Sequence, residues 1–175
     1  LMKTRGNIVF LGMMGSGKTS IGKLVSKRLK LDFIDVDDFI VKKFGMRITK
    51  IFSLKGEKFF RKIEEKITLD ILKKENIITS LGGGAFLNKK IRDEVLDKHE
   101  SFWLNLDYKE LLKRLKNSKK RPLINNSSTT ELISLIRKRS TIYSKAKYKI
   151  DCDSLTKYEI VGKILNIYEN SKTNS

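Results

Sequence analysis

The chain has 175 residues, 39% of them hydrophobic, which suits one compact domain core and leaves little room for a second. No apolar run approaches the roughly 20 residues of a membrane span, no signal-peptide pattern opens the chain, and the lone Cys152 excludes an intrachain disulfide framework and fits a reducing, cytoplasmic setting. The formal net charge of +18 raises nucleic acid as a partner, but the lysines are spread over nearly every predicted helix without an RNA-binding aromatic signature, so we read a solvated basic surface that steers acidic substrates.

In chain order, Asn7-Ile8-Val9-Phe10-Leu11 is a short apolar run suited to a buried parallel strand. Residues 12 to 19 then read Gly12-Met13-Met14-Gly15-Ser16-Gly17-Lys18-Thr19, a complete G-x-x-x-x-G-K-[ST] loop. Glycines let such a loop curl its N–H groups inward onto a polyphosphate. Lys18 supplies a point charge at the β- and γ-phosphates, and the Thr19 hydroxyl is a Mg²⁺ ligand. Ile21, Leu24, Val25 and Leu29 follow at helical spacing, so the phosphates sit at a helix N-terminus.

Further strand-like runs occur at 31–35, 76–81, 101–106 and 148–152, with helical patterns between them. Phe60, Ile63, Ile67 and Ile71 share one helix face, and Ile160, Val161, Ile164, Leu165 and Tyr168 share another. This alternation predicts a parallel sheet covered on both sides, a three-layer α/β/α fold in one domain. Ligands in such folds bind beyond the carboxyl ends of the strands.

After the second strand, Asp35-Val36-Asp37-Asp38 sets carboxylates beside the phosphate loop. We read Asp35 and Asp37 as functional, one carboxylate sufficing for Mg²⁺ directly or through water and a second able to accept a proton from an attacking hydroxyl, with Asp38 as an acidic helix cap. Gly82-Gly83-Gly84 follows the third strand; either a sharp turn or the close approach of a ligand explains it. The helix expected over Glu57–Lys74 carries Arg61, Glu64 and Glu65 at pairing distance, and Phe59 is expected in the core. A basic segment at about 116–128, with Arg121 beside the single proline, reads as a mobile lid over phosphates. A terminal tail is expected from about 170 to 175.

With these motifs in order, the chain resembles the shikimate kinase family from Asn7 to about Leu165. GMMGSGKTSIG is similar to its P-loop, DVDD to its D-x-D element, FFRKIEE to its F-R-x-x-E helix and LGGGA to its glycine segment. KKRPLI resembles its lid motif and RKRSTIY its late R-x-x-x-Y segment, although Thr141 stands where the family often has proline.

The resemblance implies a five-stranded nucleoside-monophosphate-kinase-like fold and MgATP-dependent phosphorylation of the 3-hydroxyl of shikimate by a monomer. Carried over, Gly12, Gly15, Ser16, Gly17, Lys18, Thr19 and Ser20 would hold ATP, Arg114 would lie against adenine, and Arg121 would reach the phosphates. Thr19 and Asp35 would serve the metal. Asp37, Arg61 and Arg139 would hold shikimate, with Glu64 steadying Arg61, Phe52 and Phe60 packing on the ring, and Gly82, Gly83 and Gly84 lining the pocket. Planar guanidinium groups suit a carboxylate better than lysines do. A related kinase for another hydroxy acid such as gluconate, or a nucleotide- or nucleic-acid-binding P-loop module, are the alternatives.

Overall fold

The computed structural model describes residues 6–117 and 127–173. Five strands form one sheet: β1 (Ile8–Leu11), β2 (Asp32–Asp35), β3 (Ile77–Ser80), β4 (Glu100–Asn105) and β5 (Tyr148–Asp151). All pairings are parallel, in the order β2-β3-β1-β4-β5. The helices are α1 (Lys18–Leu29), α2 (Val36–Phe44), α3 (Ile48–Lys55), α4 (Glu57–Leu72), α5 (Lys89–Lys98), α6 (Tyr108–Lys116), α7 (Thr129–Tyr143) and α8 (Lys157–Thr173). The architecture is the expected α/β class.

β1 is central, and all four of its residues are buried, which explains its unbroken apolar character. Register sets the ends of three strands level: Asp35 pairs with Ser80, and Ser80 with Phe10. The chain leaving β1, β2 and β3 therefore delivers the phosphate loop, the aspartates and the glycine segment to one edge.

At the opposite edge, Asn7 joins several elements. Its side chain donates to the carbonyls of Leu72 (3.3 Å) and Lys74 (2.6 Å) and accepts from the Ile77 N–H (3.1 Å). Its backbone N–H donates to His99 Nδ1 at 3.0 Å, and its carbonyl accepts from Glu100.

Some expectations need correction. Phe59 is 38% exposed, because Phe60 takes the inward position of the first turn of α4 and turns its neighbour outward. Helix α4 ends at Leu72 and not at Lys74. The stretch expected as a tail from about 170 continues α8 as far as Thr173. Asp38 does not cap α2; Asp35 does, accepting from the Asp38 N–H at 3.1 Å. Residues 118–126, including Arg121 and most of the segment read as a lid, lie outside the described residues.

Candidate active site

The phosphate loop has the curled geometry its glycines allow. Gly15 and Gly17 take φ of 80° and 98°, and Gly17 sits at the N-cap of α1. Lys18 is buried, and its ammonium donates to the carbonyls of Gly12 and Met13, each at 2.9 Å. Ser16 is buried with its hydroxyl oxygen unpartnered among the described residues, whereas Ser20 is exposed on the first turn of α1. Arg114 comes across from α6 to donate to the Gly15 carbonyl at 3.1 Å, and Glu110 holds its Nε at 2.8 Å. The nucleotide-side residues expected from the sequence thus converge, Arg121 excepted.

Thr19 Oγ1 donates to Asp35 Oδ2 at 2.5 Å. This hydroxyl and carboxylate are hard oxygen donors beside the loop, of the kind Mg²⁺ takes while keeping several waters. Among the described residues no group of three or more His, Cys, Asp or Glu is placed to cage a metal.

Beyond the loop opens a cavity of about 700 Å³. Asp37, Phe52, Phe60, Arg61, Glu64, Gly83, Gly84 and Arg139 all line it, so α2, α3, α4, the glycine segment and α7 meet there. Gly82 is the exception among the expected lining residues: it is buried behind Asp37 and Glu64.

The three glycines are explained by close approach. None has positive φ. A Cβ on Gly82 would stand 2.6 Å from Asp37 Oδ1, and one on Gly84 would stand 2.6 Å from Arg61 Nη1. At Gly83 it would meet Arg139 Nη1 at 3.2 Å. The segment also turns, since the Ala85 N–H donates to the Gly82 carbonyl at 3.1 Å.

Arg61 is held at 2.7 Å by Glu64, one turn later in α4, and at 3.5 Å by Glu57, one turn earlier. Its guanidinium carbon also stands 5.3 Å from the centre of the Phe60 ring and 5.9 Å from that of Phe52, and those rings stack with centroids 4.8 Å apart. Glu64 is 2% exposed; burial raises its carboxyl pKa above the usual value, and the Arg61 charge and hydrogen bond work against that rise.

Arg139 is 8% exposed, with Nε and Nη1 buried and unpartnered among the described residues. Buried donors without acceptors are costly, on the order of 1–3 kcal/mol each. Arg139 nonetheless lines the cavity, and a guanidinium there is chemically suited to an acidic group.

Several lining residues were missed by sequence reading: Met14, Asp38, Val41, Arg47, Ile48, Thr49 and Ser53. Most come from the join of α2 and α3. The signal available was Gly45 and Gly56 bracketing the Ile48, Ile51, Phe52 pattern, which marks a short separate helix.

The family model for shikimate kinase matches residues 14–169. The shikimate kinase of Thermodesulfovibrio yellowstonii is 41% identical over 171 residues, covering 95% of this chain and 99% of that protein. That of Bacillus subtilis is 41% identical over 161 residues, covering 91% and 87%. In structure, the Acinetobacter baumannii shikimate kinase in complex with shikimate superimposes with a TM-score of 0.90 at 28% identity, covering 97% of this chain and 96% of the other. The Aquifex aeolicus enzyme gives 0.83 at 32%, covering 97% and 99%. A Sinorhizobium meliloti gluconokinase reaches 0.54 at 17% identity over 99% of both chains, a likeness of fold alone. No described helix is long and apolar enough to cross a membrane. The chain belongs to the shikimate kinase family.

Proposed function

We propose that this chain transfers the γ-phosphate of ATP to the 3-hydroxyl of shikimate by the following division of labour. The reaction is that of its family, an ATP- and Mg²⁺-dependent kinase acting on shikimate. The observation that carries the residue assignment is the meeting of Arg139, the Glu64-held Arg61 and Asp37 in the lining of one cavity beside the phosphate loop.

Arg139 and Arg61 grip the acceptor carboxylate by paired N–H donors, and Glu64 fixes Arg61 so that little side-chain entropy is lost on binding. Phe52 and Phe60 supply an apolar wall for the ring. Gly83 and Gly84 keep the floor thin enough for the guanidinium groups to lie against it. Asp37 orients the acceptor hydroxyl and accepts its proton as the bond to phosphorus forms. A loose transition state asks only for a late proton acceptor there.

Gly12, Gly15, Ser16, Gly17 and Ser20 hold the polyphosphate with Lys18, and Arg114 flanks the nucleotide. Lys18 moves its ammonium from loop carbonyls to phosphate oxygens. Thr19 and Asp35 are the side chains that would hold Mg²⁺, which would supply positive charge against the phosphates. We assign Arg121 to the phosphates by its motif alone. We further read the chain as a cytoplasmic monomer without a nucleic-acid face, since its lysines are spread over most helices and form no single basic stripe.

The test is a coupled assay of ATP consumption against a panel of hydroxy acids including shikimate and gluconate. Turnover is expected with shikimate, and Asp37→Asn is expected to lower kcat by about 10²–10⁴-fold with the fold retained. Near-full activity in that variant would remove the role given to Asp37.

A further inference from the structure

We propose that Arg47 is the capture residue of the acceptor cavity: its guanidinium offsets the Asp38 carboxylate at the mouth and draws the anionic acceptor inward. The proposal rests on the acceptor being the carboxylic acid shikimate.

Arg47 occupies the N-cap of α3, with φ −65° and ψ 148°, and its carbonyl accepts from the Lys50 N–H at 2.9 Å and the Ile51 N–H at 3.1 Å. A helix ordinarily opens on a side chain that offers an acceptor oxygen. Guanidinium has donors only, and Arg47 makes no side-chain cap. Local folding therefore gives no reason for arginine at this position.

Ion pairing gives none either. Among the described residues, Arg47 takes part in no salt bridge. It is exposed, and it faces the cavity together with Asp37, Asp38, Arg61, Glu64 and Arg139.

The charges of that lining decide what Arg47 does. Arg61 and Glu64 form a 2.7 Å pair and cancel. What remains is Asp37 and Asp38 against Arg47 and Arg139. With Arg47 the remainder is neutral; without it a monoanionic acceptor would enter a cavity of net negative charge. Among the described lining residues Arg139 is buried and Arg61 is paired, which leaves Arg47 as the exposed cation without an ion pair that meets the acceptor on entry. A charge at a rim acts chiefly on association and on its salt dependence.

The experiment compares the parent enzyme with Arg47→Gln at ionic strengths of about 0.02 M and 0.5 M, where screening lengths differ severalfold. At low salt, kcat/KM for shikimate is expected to fall about 3–10-fold, carried by KM with kcat within about twofold, and the gap is expected to close at high salt. Arg47→Lys should keep most of the parent value. Asp38→Asn added to Arg47→Gln should recover part of the loss, and KM for ATP should not move. A loss that persists unchanged at high salt, a fall in kcat alone, or no loss at low salt overturns the proposal. A parent enzyme inert toward shikimate overturns the functional reading itself, and the proposal with it.

Discussion

Tyr143 donates its hydroxyl hydrogen to the carbonyl oxygen of Gly83, fastening the end of α7 to the glycine segment that leaves β3. The same helix carries Arg139 one turn earlier, with Nη1 against the face of Gly83. The tyrosine therefore sets the distance between Arg139 and the glycine floor it lies on. Burial pushes the phenol up to about 12, so it stays a donor throughout the working pH range. Tyr143→Phe keeps the ring, which packs 6.1 Å from Trp103, and removes only the bond. We expect a stability loss of about 1 kcal/mol by urea unfolding. A severalfold rise in KM for shikimate should accompany it, with KM for ATP unmoved.

Two glycine substitutions should separate site from scaffold. At Gly84 the obstructing atoms are the tip of Arg61 at 2.6–2.9 Å. A flexible tip can swing away, so Gly84→Ala should leave the unfolding midpoint nearly unchanged while displacing the guanidinium. Its expected signature is a KM for shikimate raised about tenfold or more. At Gly22 the obstruction is the Phe33 ring at 2.3 Å, wedged between α1 and β2. Gly22→Ala should cost about 1–3 kcal/mol of stability through overpacking, with near-normal kcat in the molecules that remain folded.

His99 should make stability pH-dependent. Its Nδ1 accepts the Asn7 N–H, so the bond requires the neutral ring with its proton on Nε2. Burial lowers its pKa below 6.5, outweighing Glu94, whose carboxylate lies 4.0 Å away and pulls the other way. As pH falls through 6.5 the unfolded chain takes up the proton first. The stability His99 contributes is therefore full above that pH and shrinks as pH falls toward the lowered value. Urea unfolding at several pH values should show the advantage of the parent over His99→Ala narrowing on acidification. A gap that widens would contradict the neutral-ring assignment.

How much of this could be read in the sequence depends on how local each signal is. The phosphate loop is contiguous and its geometry follows from residue type, so Gly12 to Thr19 names itself. The central strand was found because burial on both faces leaves the unbroken apolar run Ile8–Leu11; the edge strands β2 and β5 are only partly buried and mix apolar with charged residues. What could not be read is which side chains share a cavity across elements distant in sequence. Arg47 and Arg139 look alike as letters; only packing makes one an exposed cation and the other a buried guanidinium with two nitrogens unpartnered among the described residues. Phe59 and Phe60 likewise differ only in helical phase: the inward face through Phe60, Ile63, Ile67 and Ile71 was read as it stands, and Phe59, one residue out of phase with it, was wrongly added to the core.

Asp35 shows two demands resolved by one carboxylate, and a pair of variants should divide them. Its Oδ1 accepts the Asp38 N–H as the N-cap of α2, while Oδ2 accepts the Thr19 hydroxyl at 2.5 Å. Capping needs an oxygen but no charge, and asparagine caps about as well as aspartate. Support of a divalent ion needs the charge. Asp35→Asn should therefore leave stability within about 0.5 kcal/mol of the parent while shifting the Mg²⁺ dependence of turnover to higher concentration. Asp35→Ala removes both functions and should add a stability loss of about 1 kcal/mol to the same Mg²⁺ shift. If Asp35→Asn lost stability without moving the Mg²⁺ dependence, Asp35 would be a helix cap alone, and Thr19 would be left as the protein side chain beside the metal.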